Sequence, residues 1–323
     1  MMNSLRTFFL GVFTLVNTLS FAQPITVSTA QSPQQLVDNV LLGFGVTALN
    51  VTINGDPLLA NVPQGNVGFF TSTNPAFPID SGLILTTGNA IGAIGPNLQT
   101  SFTNNNPPTP MVTSDPHLND IAAGSVTNGV VLEFDFIPQG DSVIFNYMFG
   151  SDEYPEFAPP NNSGYNDVFG FFIAGPGITG LQNIARLPNN GSIVSINNVN
   201  AITNPTFFNF NGDGTSSPYN SSPFYIQYDG FTDVLEAVSS VQCGETYHLI
   251  LALADVGDGQ WDSGIFLEAN SLTSKTPVDL DYTISQSLFS NPDWIAEGCV
   301  NATVTLSRQT NLSTPLTIPI QIT

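Results

Sequence analysis

"NGVVLEFDFIPQGDSVIFNYMFGSDEYPEF", residues 128–157, is the stretch on which the fold turns. Within it Val131, Glu133, Asp135 and Ile137 fall on one face of an extended chain. Val130, Leu132, Phe134 and Phe136 fall on the other. Alternation of this kind is the period of a half-buried strand and does not fit a helix. Pro138, Gln139 and Gly140 then make a turn, and a second apolar run occupies 141–149, so the two segments read as a β-hairpin. The run ends in Asp152, Glu153 and Glu156, three carboxylates in a chain nearly devoid of basic residues.

Working outward, "DVFGFFIAG" (167–175) and "TYHLILALADV" (246–256) are near-continuous apolar runs, predicted as central strands covered on both faces. "SGIFLEANS" (263–271) is expected to pair with the second of them across "GDGQW". Helix signals are few. Ser32 is placed to cap a helix over 32–43, with Pro33 in its first turn and Leu36, Val37, Val40 and Leu41 on one face. A second short helix is predicted from Asp115 and Pro116, with Leu118 and Ile121 facing inward. The pattern as a whole predicts an all-β fold: an antiparallel β-sandwich of jelly-roll type with one or two short helices.

The ends of the chain carry separate information. Arg6, the apolar run 7–16 and the small residues Ser20 and Ala22 make residues 1–22 a signal peptide, too short in its apolar part to span a bilayer. The mature chain is expected to start at Gln23 and to be exported. A polar stretch with Pro277 at 273–282 marks a boundary, giving one β domain over 23–274 and an incomplete β module over 275–323 that stops in mid-strand. Of the two cysteines, Cys243 and Cys299, one falls in each part, so a bridge between them is left open.

Charge narrows the function. Lys and Arg total 4 against 25 Asp and Glu, for a formal net charge of -21. A nucleic-acid binder needs cations for phosphates, and a polybasic membrane anchor needs them for lipid headgroups; both classes are excluded. Beyond the leader only Arg186, Lys275 and Arg308 remain.

Hard cations take oxygen ligands from carboxylates and turn carbonyls, so the acidic loops are candidate calcium sites. Asp152 and Glu153 form one. Asp255, Asp258 and Asp262, set around Gly257 and Gly259, form another, and the two loops are expected at one end of the sandwich, sharing one ion. "NFNGDG" (209–214) has the spacing of an EF-hand loop start, but Asn220 stands where a glutamate ligand belongs, so it reads as a turn. Tyr154 and Trp261, beside acids and amides, are candidate glycan-stacking residues. Catalysis has weaker support. His117 and His248 lie far apart, and Ser263 lacks the glycine pattern of a nucleophile elbow. The carboxylates of 152–156 are the remaining candidates, for glycoside hydrolysis.

One ordered series of motifs extends this reading. "NYMFGSDEYPEF", "NDVFGFFIAGPG", "NIARLP", "VSINNVN", "YDGF" and "CGETYHLILALADVGDGQWDSGIFLEA" follow "LLGFGVTALNVTINGDP" and "IDSGLILTTGNAIGAIGPN". Over roughly residues 33–272 this resembles the choice-of-anchor L domain. The resemblance implies a module of large exported bacterial proteins, often from Bacteroidota, attached to the surface by varied C-terminal signals, with no enzymatic activity to carry over. The tail resembles the start of a Calx-β-like or Ig-like repeat. The expectation is thus a non-enzymatic, secreted or cell-surface, adhesin-like module, calcium-stabilised, whose partners are a glycan or a neighbouring cell surface. A carbohydrate-binding module is the alternative, and a hydrolase the third reading.

Overall fold

The computed structural model describes residues 24–103, 111–122, 124–161, 164–212, 225–275, 279–284 and 302–307. The predicted signal peptide, Cys299, Asp213 and most of the predicted 275–323 module lie outside these residues. In chain order the strands are β1 (Thr26–Ser28), β2 (Val46–Ile53), β3 (Val67–Thr71), β4 (Ser81–Thr86), β5 (Val126–Pro138), β6 (Ser142–Ser151), β7 (Val168–Ala174), β8 (Gln182–Asn183), β9 (Phe208–Phe210) and β10 (Gly230–Thr232). They continue with β11 (Leu235–Ser240), β12 (Tyr247–Val256), β13 (Ser263–Glu268) and β14 (Thr273–Lys275). A separate pair, β15 (Asp279–Ile284) and β16 (Ala302–Ser307), forms a two-stranded antiparallel sheet.

The fold is an all-β sandwich of two antiparallel sheets. One runs β1-β3-β4-β13-β6-β10-β9, with β11 and β14 also on β6; the other runs β2-β5-β12-β7-β8. The alternation of β5 holds as read: Val130, Leu132, Phe134 and Phe136 are buried in the core between the sheets, while Glu133 and Asp135 lie on the outer face. β12 and β7 are neighbours inside their sheet, and both their faces are covered. Their outward Ile250, Ala252 and Phe172 pack with Leu118 of the short helix α2 (Pro116–Ile121), which explains the unbroken apolar runs. Asp115 caps α2 through the amides of His117 and Leu118. Ser32 makes a full capping box with Gln35 at the start of α1 (Pro33–Leu36), which runs on as a π-turn to Leu41.

Both predicted hairpins are overturned. β5 and β6 are joined by a tight turn but lie in different sheets, and so do β12 and β13. The alternating pattern fixes which side chains face the core, yet a chain can meet that demand from either sheet. Here the aromatic content of β6 decides. Phe145, Tyr147 and Phe149 point across the core at Phe169 and Phe171 of β7, with centroids 5.0 Å apart for Phe145–Phe171, 4.8 Å for Tyr147–Phe171 and 5.2 Å for Phe149–Phe169. Rings at these distances and tilts gain over simple area burial, and they place β6 opposite β7.

Phe171 touches Phe145, Tyr147 and Phe169 at once. Phe171→Ala is therefore expected to lower stability by about 3–5 kcal/mol, the range for emptying a buried aromatic site. Urea unfolding followed by near-ultraviolet circular dichroism measures it.

Candidate functional site

The crossing connections bring acids from both sheets to one end of the sandwich. Ser151 at the end of β6 pairs with Ser263 at the start of β13 and with Gly230 at the start of β10. The residues just outside those pairs are Asp152, Asp262 and Asp229, and the Asp152 amide donates to the Asp262 carbonyl at 3.1 Å. On the other sheet Ala254 pairs with Val168, which sets Asp255 beside Asp167. The predicted meeting of the two acidic loops is thus what the sheet register produces.

Asp152, Asp167, Asp229 and Asp255 are 0% exposed, Glu153 2% and Asp262 3%. Part of this charge is met by neutral donors. Ser263 Oγ donates to Asp167 Oδ2 at 2.6 Å, and the Val256 amide donates to its Oδ1 at 3.0 Å. Asn128 donates to Asp255 Oδ2 at 3.1 Å, and Asn97 donates to Asp229. Other oxygens find no donor: both of Asp152, Oε2 of Glu153 and Oδ1 of Asp255 are buried without a hydrogen bond of good geometry. Gly88 makes room at the centre, since a Cβ there would stand 2.0 Å from a carboxylate oxygen of Asp262.

The electrostatic result follows from burial and crowding. Burial, then the charges of Asp229 and Asp262, drive the Asp152 pKa well above the usual carboxylate range, and Gln227 lies near enough to pull it partly back. Burial and then Asp167 do the same to Asp255, with Thr87 and Asn128 opposing. Burial pushes Glu153 up to about 10, reinforced by Asp167, Asp258 and Glu156. Asp167 rises only to about 7: burial raises it, but Ser263 and Val256 hydrogen-bond its charged form. The Arg and Lys among the described residues lie elsewhere. Arg186 donates to the carbonyls of Asn183 and Gly191, and Lys275 sits beside Ser142, at the far end of β6 from Ser151.

All five residues predicted as metal ligands, Asp152, Glu153, Asp255, Asp258 and Asp262, therefore belong to one junction. Among the described residues no three His, Cys, Asp or Glu side chains are placed as they stand to hold a metal ion; the acids interact here through their charges. Asp167 and Asp229 belong to the same set and were missed in the sequence. Each is a lone acid abutting an apolar strand, a signal visible only once the scarcity of bases makes every such acid conspicuous. Tyr154 is not the exposed stacking residue predicted. It is fully buried, its hydroxyl donating to the Val199 carbonyl at 2.6 Å, because the loop needs an anchor under Pro155. Trp261, at φ 65°, is half-buried, and its amide donates to Thr103 Oγ1. His248 lies on the outer face of β12 between Glu133 and Asp135, 3.4 and 2.9 Å away, a structural role. Asn211 of the EF-hand-like stretch donates its amide to the carbonyls of Ile226 and Tyr228, as a turn residue does.

The chain belongs to the choice-of-anchor L domain family, whose model matches residues 25–273. Membership makes it an extracellular, surface-associated module; the family is one of surface-anchor domains and is not a known enzyme family. No curated protein and no solved structure matches the chain. Among the described residues no helix is long and apolar enough to cross a membrane.

The raised pKa values fix a pH dependence for metal-free protein. A carboxyl whose folded pKa exceeds its unfolded value stays protonated in the fold at pH values where the unfolded chain has released the proton. Stability is then greatest below the unfolded value, 3.8 for Asp167 and 4.5 for Glu153, and falls as pH rises toward about 7 and about 10 respectively. His248, raised to about 8 first by its hydrogen bond to Glu133, acts in the same direction: its contribution is complete below 6.5 and lost above 8. Protein stripped of metal is expected to melt at a higher temperature at pH 5 than at pH 8. Calorimetry at the two pH values in a metal-free buffer checks this.

Proposed function

We propose that this protein is a non-enzymatic, adhesin-like surface module whose sandwich is locked by calcium outside the cell. The observation that carries the reading is the buried seam, where both oxygens of Asp152 and one of Asp255 lack a hydrogen bond of good geometry. A carboxylate left buried without a countercharge costs several kcal/mol, and among the described residues no Lys or Arg is brought to this place. The donor set is all oxygen, of the hard kind that calcium takes and softer metals do not need. Asp152, Asp255 and Asp262, with Asp167 and Asp229, are the residues to hold the ion, and Glu153 and Asp258 stand at the mouth. Calcium here would replace mutual repulsion with attraction and tie the β6 end of one sheet to the β12 end of the other. For a protein working outside the cell, where calcium reaches millimolar levels, sites with dissociation constants of about 10⁻⁴–10⁻³ M suffice.

The hydrolase reading has less support. Glycoside hydrolysis needs two carboxyl groups facing a substrate across a cleft, and Asp152 is wholly enclosed.

The test is thermal unfolding of metal-stripped protein with and without calcium. Calcium at a hundred times its dissociation constant is expected to add about 2.7 kcal/mol. Asp152→Asn combined with Asp255→Asn is expected to remove the calcium response while raising the melting temperature of the metal-free protein, because it removes repulsion. Identical melting curves in millimolar calcium and in excess chelator would refute the proposal.

A further inference from the structure

Next to the seam lies a concavity of about 260 Å³ lined by Glu153, Phe157, Tyr165, Asp258, Gln260 and Trp261. Its walls are aromatic. Phe157 stands edge-on to Trp261, centroids 4.6 Å apart and planes at 63°, and edge-on to Tyr165 at 5.0 Å and 71°. Three rings turned against one another line a corner and do not present the flat platform on which a sugar ring stacks. The backbone holds them there. Trp261 takes a left-handed conformation and is pinned through its amide to Thr103, and Gly257, at φ 98°, lets Tyr165 close in, since a Cβ would stand 2.8 Å from its ring.

The acidic side of the cup is just as definite. Glu153 is 2% exposed, and its buried Oε2 has no hydrogen-bond partner. Asp258 holds its position by accepting the Gln260 amide at 3.0 Å. We infer that this cup is a binding site for an organic cation, an alkylated ammonium group whose charge faces Glu153 and Asp258 while its methyl groups rest on Phe157, Tyr165 and Trp261. Ring faces attract such cations through their quadrupoles, and the attraction grows when water is excluded. A neutral sugar would bring no positive charge to the acidic side formed by Glu153 and Asp258. The cup is also smaller than the roughly 300–1,000 Å³ typical of drug-sized pockets, so it admits a headgroup and not an oligosaccharide. Calcium would be bound by the aspartates behind the cup, and the inference stands whether or not calcium binds there.

Isothermal titration calorimetry of the full chain with tetramethylammonium chloride, against a sodium chloride blank, tests it in calcium and again in chelator. Saturable binding in either condition is expected. Choline is expected to bind at least about tenfold more tightly than its uncharged isostere 3,3-dimethyl-1-butanol, a comparison that needs no variant. Comparing choline with trimethyllysine tells a headgroup from a protein side chain as the source of the cation, and binding of either supports the site. Trp261→Ala and Glu153→Gln, each checked for folding by circular dichroism, are expected to weaken tetramethylammonium binding roughly tenfold or more. Heats no greater than the sodium blank in both conditions, or equal affinity for choline and its neutral isostere, would overturn the inference. So would saturable binding of methyl glycosides without binding of tetramethylammonium, which would make the cup a sugar site.

Discussion

The structure depends on carboxylates buried where, among the described residues, no Lys or Arg reaches them. Desolvation alone disfavours an ionised Asp152 or Asp255, and each neighbouring acid adds to that cost. Several features serve the same limited end of supplying partial positive charge: Ser263 and the Val256 amide at Asp167, Asn128 at Asp255, Asn97 at Asp229. These donors are dipoles, so they moderate the field of the seam without neutralising it. That leaves the stability of this end of the molecule dependent on the protons the solution provides. The core behind it is built differently. Its aromatic layer between β6 and β7 is apolar, close-packed and indifferent to pH, so the molecule joins a fixed interior to a condition-dependent end.

The seam follows from strand register. Pairing of Ser151 with both Ser263 and Gly230 in one sheet, and of Ala254 with Val168 in the other, puts an aspartate at the end of each of five strands, all facing the same junction. The same crossing loops also carry Phe157 and Trp261, which is why an aromatic cup lies beside an acidic seam. The two are one construction, an inner part of aspartates and an outer part of rings with Glu153 between them.

Much of this was legible in the sequence, but unevenly. The alternation of 129–137 gave the faces of β5, the runs at 167–175 and 246–256 gave the doubly covered strands, and Ser32 and Asp115 gave the two helix starts, because each rests on a local, periodic or capping signal. Sheet membership was not legible. A short turn after β5 is equally compatible with a hairpin and with a crossing, and only the long-range fit of Phe145, Tyr147 and Phe149 to Phe169 and Phe171 decides between them. At the site, the acids clustered in sequence were found, while Asp167 and Asp229 were not, since their partners lie dozens of residues away. Tyr154 was misjudged because an aromatic residue in a polar loop has the same sequence signature whether it points out or anchors the loop from beneath.

The placement of β6 also sets when the fold can form. Each strand that pairs with it, β10, β11, β13 and β14, lies later in the chain. Its three core aromatics thus gain one neighbouring strand only with β11 at 235–240 and the other with β13 at 263–268, and β4 likewise waits for β13 to fill its second edge. A chain emerging N-terminus first, from a ribosome or through an export channel, carries β6 as an unpaired, apolar strand until β10 and β11 follow at 230–240. Closure by such distant segments is slow, and exposed strands of this kind associate readily with one another. The order of strands along the chain therefore makes folding an event of the completed span, reached only when the last edge has cleared the channel.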